Sequence, residues 1–140
     1  MKATVTWEGE VSFRAVADSG REITMDGPAE HGGQNRGPRP METVLMGMGG
    51  CTAFDVVHIL KKGRQNISTC VAEIDATRAE TEPKVFTHIH VHFKVSGHGL
   101  DPKRVEKAIE LSATKYCSAS IMLGKTAKIT HDFEIIEAAN

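Results

Sequence analysis

Among the side chains able to do chemistry, the three cysteines come first: Cys51, Cys70 and Cys117. An odd number without close pairing does not make a disulfide scaffold, and in a reducing compartment a disulfide is more often transient and catalytic than structural. Free cysteine also packs as a small buried hydrophobe. Cys51 directly follows Gly49-Gly50. Those glycines permit either a close backbone approach or a helix break whose restart would aim free N–H groups at the sulfur and favour the nucleophilic thiolate. Asp55 works against the thiolate, because four residues on it shares the helical face and, ionised, opposes a second negative charge. A reactive Cys51 therefore needs a cation from elsewhere, whereas a packing Cys51 needs none. With no Cys-x-x-Cys motif present, both readings stand. Cys70 alternates with Ala72, Ile74 and Ala76 along a strand and reads as core.

The histidines offer less. His58 faces the same way as Cys51 but lies seven positions on, and a rise of 1.5 Å per residue separates the two by roughly 10 Å, beyond the hydrogen-bond reach of a general base. It reads as a surface or interface residue. His88, His90 and His92 put three imidazoles on one strand face, where two could share a metal. A solvated outer face gives the same pattern, and no His or Cys pair stands at a standard zinc spacing, so no metal site is assigned.

These residues need elements to position them. Residues 2 to 25 alternate as a three-stranded meander, with Val5 and Trp7, then Val11, Phe13 and Ala15, then Ile23 and Met25 as the apolar set, and Asp18-Ser19-Gly20 as a turn. From Asp26 to Arg39 the Gly- and Pro-rich composition predicts a mobile loop without regular structure. Pro40 suits the first turn of a central helix running to Lys62, with Gly63 as its C-cap. Its apolar character on nearly every side from Val44 to Phe54 marks it for burial. Two longer strands follow, Ser68 to Glu80 and Val85 to Ser96, with Val85, Ile89, Val91, Phe93 and Val95 on one face. Asp101-Pro102 caps a helix that carries Val105, Ala108, Ile109, Ser112 and Tyr116 and delivers Cys117. A short helix over 118–124 and a strand through Ala127, Ile129, His131, Phe133 and Ile135 end the chain. The order βββ, α, ββ, α, short α, β points to an α+β fold rather than a doubly wound sheet.

The chain's 140 residues suit one domain over 1–140 that can bury a real core. Seventeen Lys and Arg against eighteen Asp and Glu give a net charge of −1, with no global field to hold nucleic acid. No apolar run approaches the ~20 residues of a membrane span, and the first residues alternate like a strand rather than a signal peptide. A cytoplasmic protein is expected. A central helix apolar all round and covered by so few strands predicts a homodimer, with a second copy as its lid.

The run Pro40-Met41-Glu42-Thr43-Val44-Leu45-Met46-Gly47-Met48-Gly49-Gly50-Cys51, together with Lys115-Tyr116-Cys117-Ser118, resembles the OsmC/Ohr family of thiol-dependent peroxidases. The likeness covers nearly the whole chain. It implies β-sheets wrapped around central helices in an intertwined homodimer. It also implies Cys51 as the peroxide-attacking cysteine and Cys117 as the one that resolves it in a disulfide. Arg14 corresponds to the family arginine that holds the thiolate and peroxide, and it would supply the missing cation. The family glutamate that pairs with this arginine directly follows the proline; here Met41 stands there and Glu42 comes one later, about 100° further round the helix. Ser118 replaces a proline found in many members, and both departures resemble the divergent YhfA-like branch. Met41, Leu45, Met48, Phe54 and Met122 would wall an apolar pocket that favours organic hydroperoxides. A small thiol or lipoyl-type dithiol would act as reductant, with no metal or bound cofactor. The alternative is a non-catalytic or redox-sensing protein that binds a small apolar molecule in the same pocket.

Overall fold

The computed structural model describes residues 1–140. The fold is α+β, with two three-stranded sheets and three α-helices. Two compact units emerge, Met1–Met46 and Gly47–Asn140, and the long central helix contributes to both.

In the first unit β1 (Ala3–Trp7), β2 (Ser12–Ala17) and β3 (Glu22–Asp26) pair antiparallel in chain order. Their register sets Trp7 beside Phe13 and Met25, and Val5 beside Ala15 and Ile23, so one face is apolar. Thr6, Arg14 and Thr24 share the other face. Gly20 turns β2 into β3 with φ 82°, a conformation that favours glycine.

The segment after β3 differs from the irregular loop its composition predicts. It contains a 3₁₀ turn over Ala29–His31 and is organised by the buried Asp26 carboxylate. That group accepts from the Gly27, Gln34 and Arg36 amides at 2.9, 3.0 and 3.2 Å. The Gln34 amide, helped by those of Arg36 and Gly27, holds the Asp26 carboxyl below the usual carboxylate range. In sequence an aspartate among glycines looks like one more turn residue.

Helix α1 spans Pro40–Lys62. Pro40 starts it, and Glu42 reaches back to accept from the Arg39 N–H at 2.9 Å, half of a capping box. It stops on a Schellman arrangement, in which Gln65 N–H bonds to Leu60 C=O and Arg64 N–H to Lys61 C=O. The left-handed residue there is Arg64, φ 57°, and not the expected Gly63. Burial falls on one stripe, Met48, Gly49, Thr52, Val56 and Leu60, while Val44, Met46 and Phe54 are exposed in the single chain. By length and composition alone α1 is long and apolar enough to cross a membrane. The core helix of a globular fold meets the same criterion. Scattered glycines and threonines interrupt an unbroken apolar run without lowering the mean hydropathy much.

In the second unit β4 (Asn66–Arg78) pairs antiparallel with β5 (Phe86–His98), and β5 pairs parallel with β6 (Lys128–Glu137). The parallel pairing requires a crossover, supplied by α2 (Pro102–Leu111) and α3 (Ser118–Leu123). Asp101 caps α2 by accepting from the Lys103 N–H at 2.9 Å. Phe86, Ile89, Val91, Phe93 and Val95 of β5 are buried, as are Val105, Ala108 and Ile109 of α2 and Val56 and Leu60 of α1. Val85 does not join this face, contrary to what the alternation predicts. A register shift between Thr77 and Arg78 inserts Thr87 as an extra residue, so Phe86 turns inward and Val85 is exposed.

Candidate functional site

Gly47, Gly49 and Gly50 do not break α1, so no helix restart aims free N–H groups at Cys51. At Gly49 an added Cβ would lie 2.8 Å from Ile74 Cδ1 on β4, so the near neighbour there is the tip of a side chain and not backbone. A residue lacking a side chain there lets α1 settle on the sheet. Cys51 and Asp55 then project together from one face of α1, one turn apart and both half-buried.

The opposite wall comes from the connection between α2 and α3. Ser112–Tyr116 forms a π turn in which the Cys117 N–H bonds to the Ser112 carbonyl at 2.8 Å. This wider turn ends the helix that was expected to run on to Cys117, and it leaves Tyr116 exposed. Cys117, with φ −76° and ψ 97°, becomes the N-cap of α3. Its Sγ accepts from the Ser120 amide at 3.3 Å and from the Ser120 hydroxyl at 3.0 Å, and the residue is 0% exposed.

The two walls meet. Cys51 Sγ, Cys117 Sγ and an Asp55 carboxylate oxygen all lie within 4.8 Å of one another, and both cysteines are free thiols. Beneath them runs a short relay of hydroxyls. Ser112 Oγ donates to Asp55 Oδ2 at 2.9 Å, which leaves the Thr52 hydroxyl to donate to Ser112 Oγ at 2.8 Å. Both hydroxyl residues are buried. Burial pushes the Cys117 thiol up, and the adjacent Cys51 raises it further, while the Ser120 hydroxyl and amide pull the other way. Asp55 also lines a cavity of about 380 Å³ with His58, Ile59, Lys62, Leu111 and Tyr116.

Thr52, Ser112 and Ser120 are the residues that sequence reasoning passed over. Ser112 stands in the apolar helical pattern of α2, and a hydroxyl at such a position was the available signal. Cys70 is half-buried on β4, and burial alone pushes its thiol up.

The remaining candidates lie as follows. Arg14 is on the polar face of the meander, its Nε 2.7 Å from Glu8 and its Nη1 3.3 Å from Glu22, both carboxylates raising its pKa. Glu42 caps α1 through Arg39 instead of pairing with Arg14. Met48 is 1% exposed and belongs to the core, whereas Phe54 and Met122 are 68% and 72% exposed, and Met41 and Leu45 are half-buried. His58 stacks on Phe54, ring centroids 5.7 Å apart. His90 and His92 form a ladder with β6: His90 contacts Thr130 and Asp132, and His92 contacts Asp132 at 2.7 Å and Glu134 at 2.9 Å. On this face the imidazoles of β5 hydrogen-bond to side chains of the neighbouring strand β6.

Comparison with known proteins agrees with this architecture. The profile of the family described as OsmC-like protein matches residues 32–132. Protein YhfA of Escherichia coli K12 is 44% identical over 138 residues, covering 99% of this chain and 100% of that protein. A solved structure from Aquifex aeolicus VF5, described as a hypothetical protein, superposes with a TM-score of 0.86 at 28% identity, over 99% of this chain and 97% of that one. An organic hydroperoxide resistance protein OsmC from Legionella pneumophila shares the fold, with a TM-score of 0.70 at 14% identity over 95% of each chain. A dithiol set between a central helix and a crossover, in a chain this similar along its whole length to YhfA, places the protein in the OsmC family.

Proposed function

We propose that the chain reduces organic hydroperoxides through its Cys51–Cys117 pair. The observation that carries this reading is the meeting of two free sulfurs within 4.8 Å, from residues far apart in sequence. A disulfide needs about 2.05 Å between sulfurs, so oxidation requires the two to close further from their present separation.

Exposure supports the division of roles. Cys51 is partly open and Cys117 fully covered, so a peroxide reaches Cys51 first. The Cys51 sulfur attacks the terminal oxygen of ROOH, the O–O bond breaks, and the alkoxide leaves as ROH after taking a proton. The product is a Cys51 sulfenic acid. Cys117, whose thiol burial pushes up, attacks that sulfur, and its proton leaves with the sulfenic hydroxyl as water when the disulfide forms. A small thiol or lipoyl-type dithiol then reduces the disulfide, in a reducing compartment such as the cytosol. The proposal rests on the two sulfurs; because Asp55 opposes the thiolate, it also requires a cation beside Cys51 in the assembled protein, and Arg14 would have to leave Glu8 and Glu22, its partners in the single chain, to serve as one.

The active form we infer is a homodimer built on α1. Gly47, Gly50 and Phe54 fall on one stripe of the helix. A Cβ added at either glycine meets nothing within 4 Å in the single chain, and Phe54 is exposed. The apolar meander face is open as well, with Trp7 66% exposed. A second helix laid on the glycine stripe and a second meander over it would cover both.

The test is a thiol count on reduced protein after one equivalent of cumene hydroperoxide. The three thiols should fall to one, and Cys51→Ser should keep its remaining two. An unchanged count in the wild type rejects the mechanism and leaves a non-catalytic protein that binds an apolar molecule.

A further inference from the structure

We propose that the reduced Cys51–Cys117 pair and Asp55 together form a binding site for a thiophilic divalent cation, with zinc as the ion whose chemistry fits, and that oxidation of the pair abolishes it. The proposal deepens the dithiol reading of this site but does not need peroxide turnover.

The donor set is two sulfurs and one carboxylate oxygen, all within 4.8 Å of one another. Around a tetrahedral zinc, bonds of about 2.3 Å to sulfur and 2.1 Å to oxygen place the ligand atoms roughly 3.6–3.8 Å apart. The reduced site therefore needs at most about 1 Å of closure to hold the ion. Two thiolates select against magnesium and calcium, which take oxygen ligands. Three protein ligands leave a fourth position for water, the pattern of an exchangeable rather than a closed structural site.

The surroundings support the donors in the way metal sites require. Ser112 holds Asp55 Oδ2 at 2.9 Å and is itself held by Thr52 at 2.8 Å, so the carboxylate is oriented and its other oxygen is left for the ion. The Ser120 hydroxyl and amide orient Cys117 Sγ. Asp55 borders the cavity of about 380 Å³, which gives an ion and its water an approach. Sequence spacing conceals the site, because one sulfur comes from the crossover after α2 and no short Cys or His motif exists.

Binding Zn²⁺ to the two thiols releases two protons. Conversely, when a hydroperoxide oxidises the zinc-bound pair, two sulfur-centred electron pairs make one S–S bond and reduce ROOH to ROH and water, with two protons consumed and Zn²⁺ released. The same atoms cannot serve both states, so zinc protects the pair from peroxide and peroxide empties the site.

Cobalt(II) reports this geometry directly. Reduced protein under anaerobic conditions should take up one equivalent of Co²⁺ with a thiolate-to-cobalt charge-transfer band and the intense visible bands of a four-coordinate ion, both lost on adding Zn²⁺. Cys51→Ser and Cys117→Ser should each abolish the band, Cys70→Ser should keep it, and Asp55→Asn should weaken binding at least ~10-fold while keeping the wild-type circular dichroism. Protein oxidised with diamide should show no band. Absence of the band in reduced protein, or its persistence in the Cys51→Ser and Cys117→Ser variants, overturns the site. The metal-free thiol count with cumene hydroperoxide is read separately, so loss of one result does not imply loss of the other.

Discussion

Replacing Ser112 with alanine removes the middle of the relay beneath the two sulfurs. Ser112 is fully buried, donates to Asp55 and accepts from Thr52. A hydrogen bond to a charged group contributes about 1.5–3 kcal/mol, and a buried hydroxyl left without a partner costs about 1 kcal/mol more. Asp55 is only half-buried and can recruit water in exchange, so the expected loss is about 2 kcal/mol. For a chain of this size that corresponds to roughly 6–10 °C in Tm and about 1 M in the urea midpoint. Thr52→Val breaks only the first link and should cost about 1 kcal/mol, because Ser112 still reaches Asp55. The double variant should lose about 1 kcal/mol less than the sum of the two, since they share a bond. Urea unfolding by circular dichroism, at one protein concentration to hold any dimer equilibrium fixed, measures all three. A Ser112→Ala loss below about 0.5 kcal/mol, or strict additivity in the double variant, would refute the relay.

Gly50→Leu should convert the protein to a folded monomer by light scattering on a sizing column, since a Cβ added there meets nothing within 4 Å in the chain but the leucine would fill the face proposed for a second α1; an unchanged dimer would move the interface elsewhere. Arg64→Gly should raise stability by about 0.5–1 kcal/mol, because Arg64 holds a φ of 57° at the end of α1. The His92 pKa is raised, first by Asp132 and then by Glu134, while the Asp132 carboxyl is lowered by His92 and His90. The histidine contribution is thus complete below the unfolded imidazole value near 6.5 and fades as pH climbs through the higher folded one; the carboxylate contribution fades as pH falls below about 4. The urea midpoint of wild type over Asp132→Asn should therefore be greatest near pH 5–6 and shrink by pH 9, and a gap independent of pH would contradict the ladder.

Much of this architecture was readable because periodicity and punctuation agreed. Pro40, the apolar stretch behind it, Asp101-Pro102 and the alternation of β5 each declare an element through local chemistry. What escaped depends on one extra residue or on distance along the chain. Thr87 shifts β5 by one position and exchanges Val85 for Phe86 in the core. The π turn over Ser112–Tyr116 does the same to a helix, and no propensity marks it. The meeting of Cys51 with Cys117 was available only through family resemblance, since crossover geometry, not spacing, brings them together. Arg14 shows the reverse limit: a lone arginine in a meander reads as a free cation until Glu8 and Glu22 are seen on either side.

The most direct test is peptide mapping of reduced wild-type protein after one equivalent of cumene hydroperoxide, with free thiols alkylated before digestion. A cross-linked peptide joining Cys51 to Cys117, an intact mass two hydrogens lighter and an alkylated Cys70 are the result predicted. Cross-linking through Cys70, or alkylation of all three cysteines, would contradict the account.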